Sequence, residues 1–424
     1  MSSQALVVAH RAPSTRSRSP RIAVTAVFVA HGLLFASWTA HIPHVMRHLG
    51  LTDGTLGIAL LGAPVGSVAA MLLASYLIPR LGSRRVVQFA LVGYCATGPL
   101  VGLTGSLAAL FGALFIWGAF QGTLDVAMNT QAIAVERAGR RPLMSGLHGS
   151  WSIGAFAGAG IGALAVGAGV GLTPQLLILG TIALLGAGLL TSRMLPDAIG
   201  RPGADERPKT DTPKIDTPKI DTLSASRWSG GMVLLGAIAF AGMLCEGASA
   251  DWASVYLSGP LHATGAVPGL GYAAFALAMV TVRLSGNRLH SRFRPSRLLP
   301  VLAAVATAGF AAGLAIGRPA AAIAGFVFLG IGLASVVPAV FSAAGRIAGL
   351  HPGTAVATVS ACGWTGFVCG PPLIGHLAAL ASLPVALGLL PFLTAFVAVG
   401  ALLSRALRDA SQGPAAPARS DGTP

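Results

Sequence analysis

The feature that most constrains this chain is a succession of apolar stretches, each about as long as a membrane-spanning helix. A bilayer core takes roughly 20 apolar residues per helix, and twelve such stretches follow one another with short, charged loops between them. Hydrophobic residues make up 54% of the 424 residues and charged ones 10%, which is more apolar surface than a soluble fold of this size buries. We therefore predict an all-α membrane protein.

The predicted spans fall into two sets of six. The first set is 21–45, 54–79, 84–103, 106–135, 143–168 and 172–192, and the second is 229–257, 266–289, 297–317, 320–344, 353–380 and 384–406. Between them lies a polar, Pro-rich stretch with the tandem repeat DTPKIDTPKIDT, a composition typical of flexible linkers. The predicted organisation is a cytoplasmic tail (1–20), a six-helix half (21–193), a linker (194–228), a second half (229–407) and a disordered tail (408–424).

The distribution of positive charge predicts the orientation of the chain. The formal net charge is +15, but with the N-terminus inside, all of the 28 Lys and Arg residues except Arg47 and Arg318 lie on the inner side. This is the positive-inside pattern, so the charge need not bind nucleic acid. We predict a monomeric, multi-pass protein of the cell membrane with both termini cytoplasmic. The first apolar run lacks a signal-peptide cleavage pattern and is expected to remain as the first span.

The two halves show an internal repeat. At an offset of 214 residues Trp38 falls on Trp252, and at an offset of 213 Trp151 falls on Trp364. Tryptophan is scarce in this chain, which has six, so these matches are informative. Because each half has an even number of spans, both halves start on the same side, and the repeat is parallel.

With these features the chain resembles the major facilitator superfamily over nearly its whole length. The family's loop between spans 2 and 3 usually reads G-x-L-x-D-R-x-G-R-[RK]. Here Arg80, Gly82 and Arg84 match, while Ser75 and Pro79 replace the Gly and the Asp. The resemblance implies twelve transmembrane helices in two parallel six-helix repeats, with Arg80, Gly82 and Arg84 in an inner gate loop.

The fourth span resembles one group within that superfamily. The segment GTLDVAMN is similar to the helix-4 segment of the fucose:proton symporter group, and Asp125 stands where that group has an acid. The group has a second acid in helix 1, four residues before a Pro, where this chain has Thr39 ahead of Pro43. The resemblance implies proton coupling through Asp125 without identifying a sugar substrate.

Three of the thirteen acids lie well inside predicted spans: Asp125, Glu246 and Asp251. A carboxylate near the bilayer centre costs about 2.5–3.5 kcal/mol on insertion scales, so such groups usually face a cavity and serve transport, or pair with a cation. Asp125 lies roughly 16 Å from the inner end of its helix, at about 1.5 Å per residue, and Asn129 shares its face one turn further on. A structural acid capped by polar neighbours is the alternative.

Helix 7 and helix 8 offer further candidates. Glu246 and Asp251 are separated by about 140° around their helix, so they do not point to the same place. Arg283 is a candidate anchor for a substrate carboxylate, an ion-pair partner or a side chain that snorkels to the inner surface. Trp38 and Trp252, with Trp151 and Trp364, come from helices that border the cavity in the resembled fold, where they would stack on a substrate or serve as packing.

Histidines and cysteines do not indicate a metal. His41, His44 and His48 share one helix face, but a proline disturbs that helix and no carboxylate accompanies them, so we predict no metal site. His148 and His376 are alternative proton carriers. The four cysteines have no metal-type spacing and are predicted to be packing residues.

These observations favour a transporter. Nucleotide-binding and hydrolase motifs are missing, so we predict that the protein is not an enzyme and uses no cofactor. The expected partners are a small-molecule substrate, protons and the lipid bilayer. The leading hypothesis is secondary transport by alternating access with proton symport. A proton-driven efflux antiporter is the alternative, although the Gly-Pro pair of drug-type antiporters is absent from helix 5. A non-transporting membrane sensor is a third reading.

Overall fold

The computed structural model describes residues 18–139, 143–196, 229–292, 295–347, 350, 352–404 and 406–407. Helices make up nearly all of this part of the chain, and no β-strand occurs in it. The predicted termini and most of the predicted linker lie outside the described residues. We number the helical spans α1 to α12 and count a span that is broken within the bilayer as one.

In the first half three spans are continuous and three are broken. The spans are α1 (Arg18–Ser37, Thr39–His41 and Ile42–His48), α2 (Asp53–Leu60 and Gly62–Leu81), α3 (Ser83–Val101), α4 (Leu107–Gly139), α5 (Met144–Gly167) and α6 (Leu172–Ala183, Leu184–Gly188 and Thr191–Arg193).

In the second half the same pattern recurs with fewer breaks. The spans are α7 (Gly230–Ser258), α8 (Val267–Arg292), α9 (Pro295–Ile316), α10 (Pro319–Leu333 and Val336–Ala344), α11 (Pro352–Leu380) and α12 (Leu383–Leu387 and Leu389–Leu403).

Each predicted span coincides with one of these helices, and the predicted fold class is confirmed. Ten of them are long and apolar enough to cross a membrane. The other two, α3 and α11, carry more polar or small residues: α3 opens with Arg84 and Arg85, and α11 contains Pro371 and Pro372. The break in α1 falls just before Pro43, which stands in the first turn of the next helical segment, where its missing N–H costs little.

Small residues let the helices of each half approach closely. A Cβ added at Gly66 in α2 would overlap the Phe115 carbonyl oxygen in α4, and one at Gly158 in α5 would overlap the Leu33 carbonyl oxygen in α1. Helices in lipid gain little from hiding apolar surface, so this close van der Waals contact is what holds them together. Large side chains such as Leu72 and Phe392, each more than 70% exposed, then cover the lipid-facing surface.

The two halves also meet directly at the end of the bundle where α1 joins α2. A Cβ at Gly57 in α2 would lie 2.7 Å from the Pro371 carbonyl in α11, and one at Gly375 would lie 3.0 Å from the Gly57 Cα atom. Nearby, the Ser254 hydroxyl of α7 donates to the Thr39 carbonyl of α1 at 2.6 Å. This end of the bundle, which we call the α1–α2 end, is therefore tightly packed between the halves.

Candidate functional site

A central cavity of about 340 Å³ lies between the two halves. Its wall is formed by side chains from α1, α2, α4 and α5 of the first half and from α7, α8, α10 and α11 of the second. Met71, His148 and Phe341 belong to this wall and lie on the parts of their helices that run towards the α2–α3 loop. The cavity therefore extends away from the tightly packed α1–α2 end, towards the end of the bundle that carries the α2–α3 loop.

The first-half wall is built around His31 of α1. The Trp151 indole of α5 donates to His31 Nδ1 at 2.7 Å, and the His31 ring stacks on Tyr94 of α3 with centroids 5.5 Å apart. Tyr94 in turn stacks on Trp117 of α4 at 5.2 Å, and the Trp117 indole donates to the Tyr94 carbonyl at 3.1 Å. These rings form one interlocked block, which fixes this wall.

Asp125 lies in the cavity wall on α4 and is held from its own helix. The Asn129 amide donates to the Asp125 backbone carbonyl at 2.8 Å and to its carboxylate oxygen Oδ1 at 3.3 Å. Asn129 itself is not part of the wall. Gln131 lies six residues after Asp125, about 240° round the helix. It points away from Asp125 and donates to the Ser83 hydroxyl at 2.8 Å. Asp125 is thus reachable from the cavity and has an amide donor beside it.

The second-half wall carries an ion pair that also contacts the first half. A guanidinium nitrogen of Arg283 in α8 lies 4.0 Å from a Glu246 carboxylate oxygen in α7. The same side chain donates to the Ser152 hydroxyl of α5 at 3.1 Å and to the Ala334 carbonyl at 3.4 Å. Arg283 therefore pairs with an acid, as one of the predicted readings has it, and joins the two halves beside the cavity.

Asp251 lines the cavity one and a half turns further along α7. Among the described residues its carboxylate has neither an ion-pair partner nor a hydrogen-bond donor. Asp251 is thus the one of the three cavity acids that has neither a cation nor a hydrogen-bond donor among the described side chains.

The four repeat-related tryptophans do not occupy equivalent places. Trp38, Trp151 and Trp364 line the cavity, whereas Trp252 is fully buried outside the lining, with no hydrogen-bond partner for its indole nitrogen in the described part of the chain. The repeat places Trp252 on the expected helix but not on the face that borders the cavity.

Known proteins are similar to this chain over most of its length. The family model described as Major Facilitator Superfamily matches residues 23–316. The chain belongs to this superfamily. It is 34% identical to an uncharacterized MFS-type transporter of Yersinia pestis, over 90% of this chain and 95% of that protein. It is 32% identical to the membrane protein MosC of Rhizobium meliloti, over 93% of this chain and 94% of MosC.

Solved transporter structures share the fold. The nucleoside transporter NupG matches with a TM-score of 0.69 at 12% identity, over 91% of this chain and 99% of NupG. A bacterial homolog of the lysosomal transporter Spinster matches with a TM-score of 0.60 at 15% identity, over 95% and 96% of the two chains. Together with the family membership, these matches confirm a membrane transporter and not an enzyme.

The loop that carries the superfamily motif has a local arrangement of its own. The Arg80 guanidinium lies over the Tyr76 ring, 3.4 Å from its centroid, and donates to the Tyr76 carbonyl. Gly82 has φ of +83° between α2 and α3, a conformation that a glycine adopts without strain. Arg84 follows in the first turn of α3. Arg80 thus finds its contacts largely within its own helix. The acid that the superfamily usually has next to this arginine is replaced by Pro79 in this chain.

The histidines at the α1–α2 end, His41, His44 and His48, face different surroundings. His41 Nε2 is hydrogen-bonded to the Gln175 side-chain oxygen of α6 at 2.8 Å, while His44 and His48 are exposed and line a separate shallow pocket. No group of three metal-binding side chains occurs among the residues that the structure describes. Of the other two candidates, His148 lines the central cavity and His376 does not.

Several residues of the cavity were not among those predicted from sequence. His31, Gln121 and Tyr272 line it, and Ser152 contacts Arg283. His31 had a recognisable signal, because it is a lone ionisable residue in an otherwise apolar run of helix 1, and such residues in the superfamily and elsewhere face a cavity or a partner. Gln121 lies one helical turn before Asp125 on α4 and shares its face.

Proposed function

We propose that this transporter is a secondary active transporter, which couples the movement of a small solute to protons by alternating access, with symport as the preferred mode. The residues 21–193 and 229–407 form the two moving halves, and residues 194–228 join them on the cytoplasmic side. The protein lies in the cell membrane as a monomer with both termini cytoplasmic, so that the cavity in this conformation reaches towards the cytoplasm.

The observation that carries the proposal is Asp125 in the wall of the cavity. A proton carrier in a membrane has to be reachable by water from one side at a time and has to exist both charged and neutral. Asp125 borders the cavity, and the Asn129 amide is 3.3 Å from its carboxylate. An amide N–H donates to an ionised carboxylate and equally to the carbonyl oxygen of a protonated one, so the pair persists through a cycle of protonation.

Alternating access is supported by the unequal packing of the two ends. Backbone contacts between Gly57 in α2 and Gly375 in α11 hold the halves together at the α1–α2 end, while the cavity extends in the other direction. Rocking of the two halves about the cavity would open the first end and close the second. With no nucleotide-binding motif in the sequence, an ion gradient is the energy source that remains.

The same carboxylates serve a proton antiporter, and the direction of proton flow separates the two modes. A substrate is first found by thermal stabilisation of the detergent-solubilised protein with sugars, amines, amino acids and drugs. The purified protein is then reconstituted into vesicles that contain a pH-sensitive dye, and the substrate is added outside. Symport acidifies the lumen as substrate enters, whereas antiport makes the lumen alkaline.

The decisive variant is Asp125→Asn. It is expected to abolish accumulation driven by a pH gradient while leaving exchange of internal for external substrate intact, since exchange needs no net proton movement. Asp53→Asn is the matched control, because Asp53 lies outside the central cavity at the start of α2. Full gradient-driven accumulation by the Asp125→Asn protein would overturn the proposed role of this carboxylate.

A further inference from the structure

Resting on the proposed transport function, we infer that the substrate is a small, ring-bearing amine whose ammonium group binds Asp251. The cavity supplies two chemically distinct features for such a molecule: a carboxylate without an ion-pair partner or a hydrogen-bond donor, and aromatic ring faces.

The charges of the cavity favour a cationic substrate. Glu246 is paired with Arg283, and Asp125, beside Asn129, is the group that the proposed mechanism loads with a proton. Asp251 remains, with no ion-pair partner and no hydrogen-bond donor in the described part of the chain. An unpaired carboxylate in a site of low dielectric is costly, and a ligand ammonium removes that cost. An anionic substrate would add to it.

Aromatic rings surround the same space. Trp151 and Phe35 of the first half line the cavity with ring centroids 6.0 Å apart, and Trp364 and Phe367 of the second half line it with centroids 5.7 Å apart. The faces of such rings attract ammonium groups by about 0.5–2 kcal/mol and stack on planar rings. An amine on a ring uses both properties.

Cavity size limits the substrate further. A volume of about 340 Å³ is at the small end of ligand pockets, which span roughly 300–1,000 Å³. The wall is dominated by Trp, Phe, Met and Leu side chains, so a neutral polyol would leave many hydroxyl groups without partners. A single ring with one amine fits both the volume and the unpaired carboxylate.

The inference is tested by binding, with tyramine as the probe, phenethylamine as a second ring-bearing amine and two compounds without an amine. Tyrosol replaces the amine of tyramine by a hydroxyl, and glucose is a neutral polyol. Affinities are measured by thermal shift and calorimetry on the full-length protein in detergent. Tyramine and phenethylamine are expected to bind at least tenfold more tightly than tyrosol or glucose.

One variant assigns the contact. Asp251→Asn is expected to weaken tyramine binding about 10- to 100-fold and to remove the preference over tyrosol, since a hydrogen-bonded charge pair is lost. Asp53→Asn should bind as the wild type does.

The inference is overturned if tyrosol or glucose binds as tightly as tyramine, if no amine binds, or if the Asp251→Asn protein keeps the preference for tyramine. Its failure is distinguishable from that of the transport proposal. Amine binding that survives Asp125→Asn, together with amine transport that ignores a pH gradient, supports the substrate class and refutes proton coupling. Proton-coupled transport of a neutral sugar supports proton coupling and refutes the substrate class.

Discussion

The two walls of the central cavity come from repeat-related halves but differ in how their side chains are held. In the first half, Trp151 is hydrogen-bonded to His31, and the stack continues through Tyr94 to Trp117. In the second half, the repeat partner Trp364 packs edge-on against Phe367, and no hydrogen bond of its indole occurs among the described residues.

The charges are distributed in the opposite way. The second-half wall contains Glu246, Asp251 and Arg283, whereas Asp125 is the acid of the first-half wall. One wall is therefore fixed by neutral contacts, and the other is held by charges that are able to change partners. A rigid aromatic wall positions a substrate, while an exchangeable set of charges responds to it.

The largest expected effect is on the charged wall. Replacing Arg283 by Leu leaves Glu246 without its cation and Ser152 without its donor, and we expect a loss of about 1–3 kcal/mol of stability because one partner of a largely buried pair is removed. Thermal unfolding in detergent measures the loss. Arg318→Leu, at the exposed turn before α10, is the control.

The double variant Arg283→Leu with Glu246→Gln sharpens this prediction. It removes both charges, so most of the lost stability should return. A double variant as unstable as Arg283→Leu alone would show that packing, rather than the ion pair, accounts for the effect.

A smaller effect is expected on the fixed wall. Trp151→Phe removes the donor to His31 Nδ1 and leaves a buried acceptor unsatisfied, at a cost of about 1–2 kcal/mol. In a His31→Phe background the same substitution should cost less, because the acceptor is already gone. Thermal unfolding of the four proteins in this cycle gives the coupling, and a coupling near zero would contradict the hydrogen bond.

The smallest effect is expected at the repeat partner. Trp364→Phe keeps a ring beside Phe367 and breaks no described hydrogen bond, so the loss should stay within about 0.5 kcal/mol. The same unfolding assay measures it. If Trp364→Phe proved as destabilising as Trp151→Phe, the two walls would be equally constrained and the comparison would fail.

The helices were predictable because hydropathy and chain length directly control insertion into lipid. Each predicted span coincides with a helix, and Pro43 marks the region where α1 breaks. Faces within the bundle were harder to predict. Repeat symmetry placed Trp252 on helix 7, but which side of a helix meets a cavity depends on the rotation of that helix against its neighbours, which one sequence does not record.

Pairings across the bundle were also beyond sequence. Arg283 left three readings open, a substrate anchor, an ion-pair partner or a snorkelling side chain, because sequence spacing does not say what a long side chain reaches. The packing of α5, α7 and α8 places it against Glu246 and Ser152. Asn129 was predictable as a neighbour of Asp125, because a contact within one helix depends on spacing alone.

The contact between Gly57 and Gly375 has an electrical consequence. Two backbones in van der Waals contact leave no space between them for a file of water molecules, and hence no path along which protons could hop at this point. Where such a dry layer closes the bundle, much of the membrane voltage falls across it. In the proposed mechanism, the coupled ion crosses this point only when the layer separates.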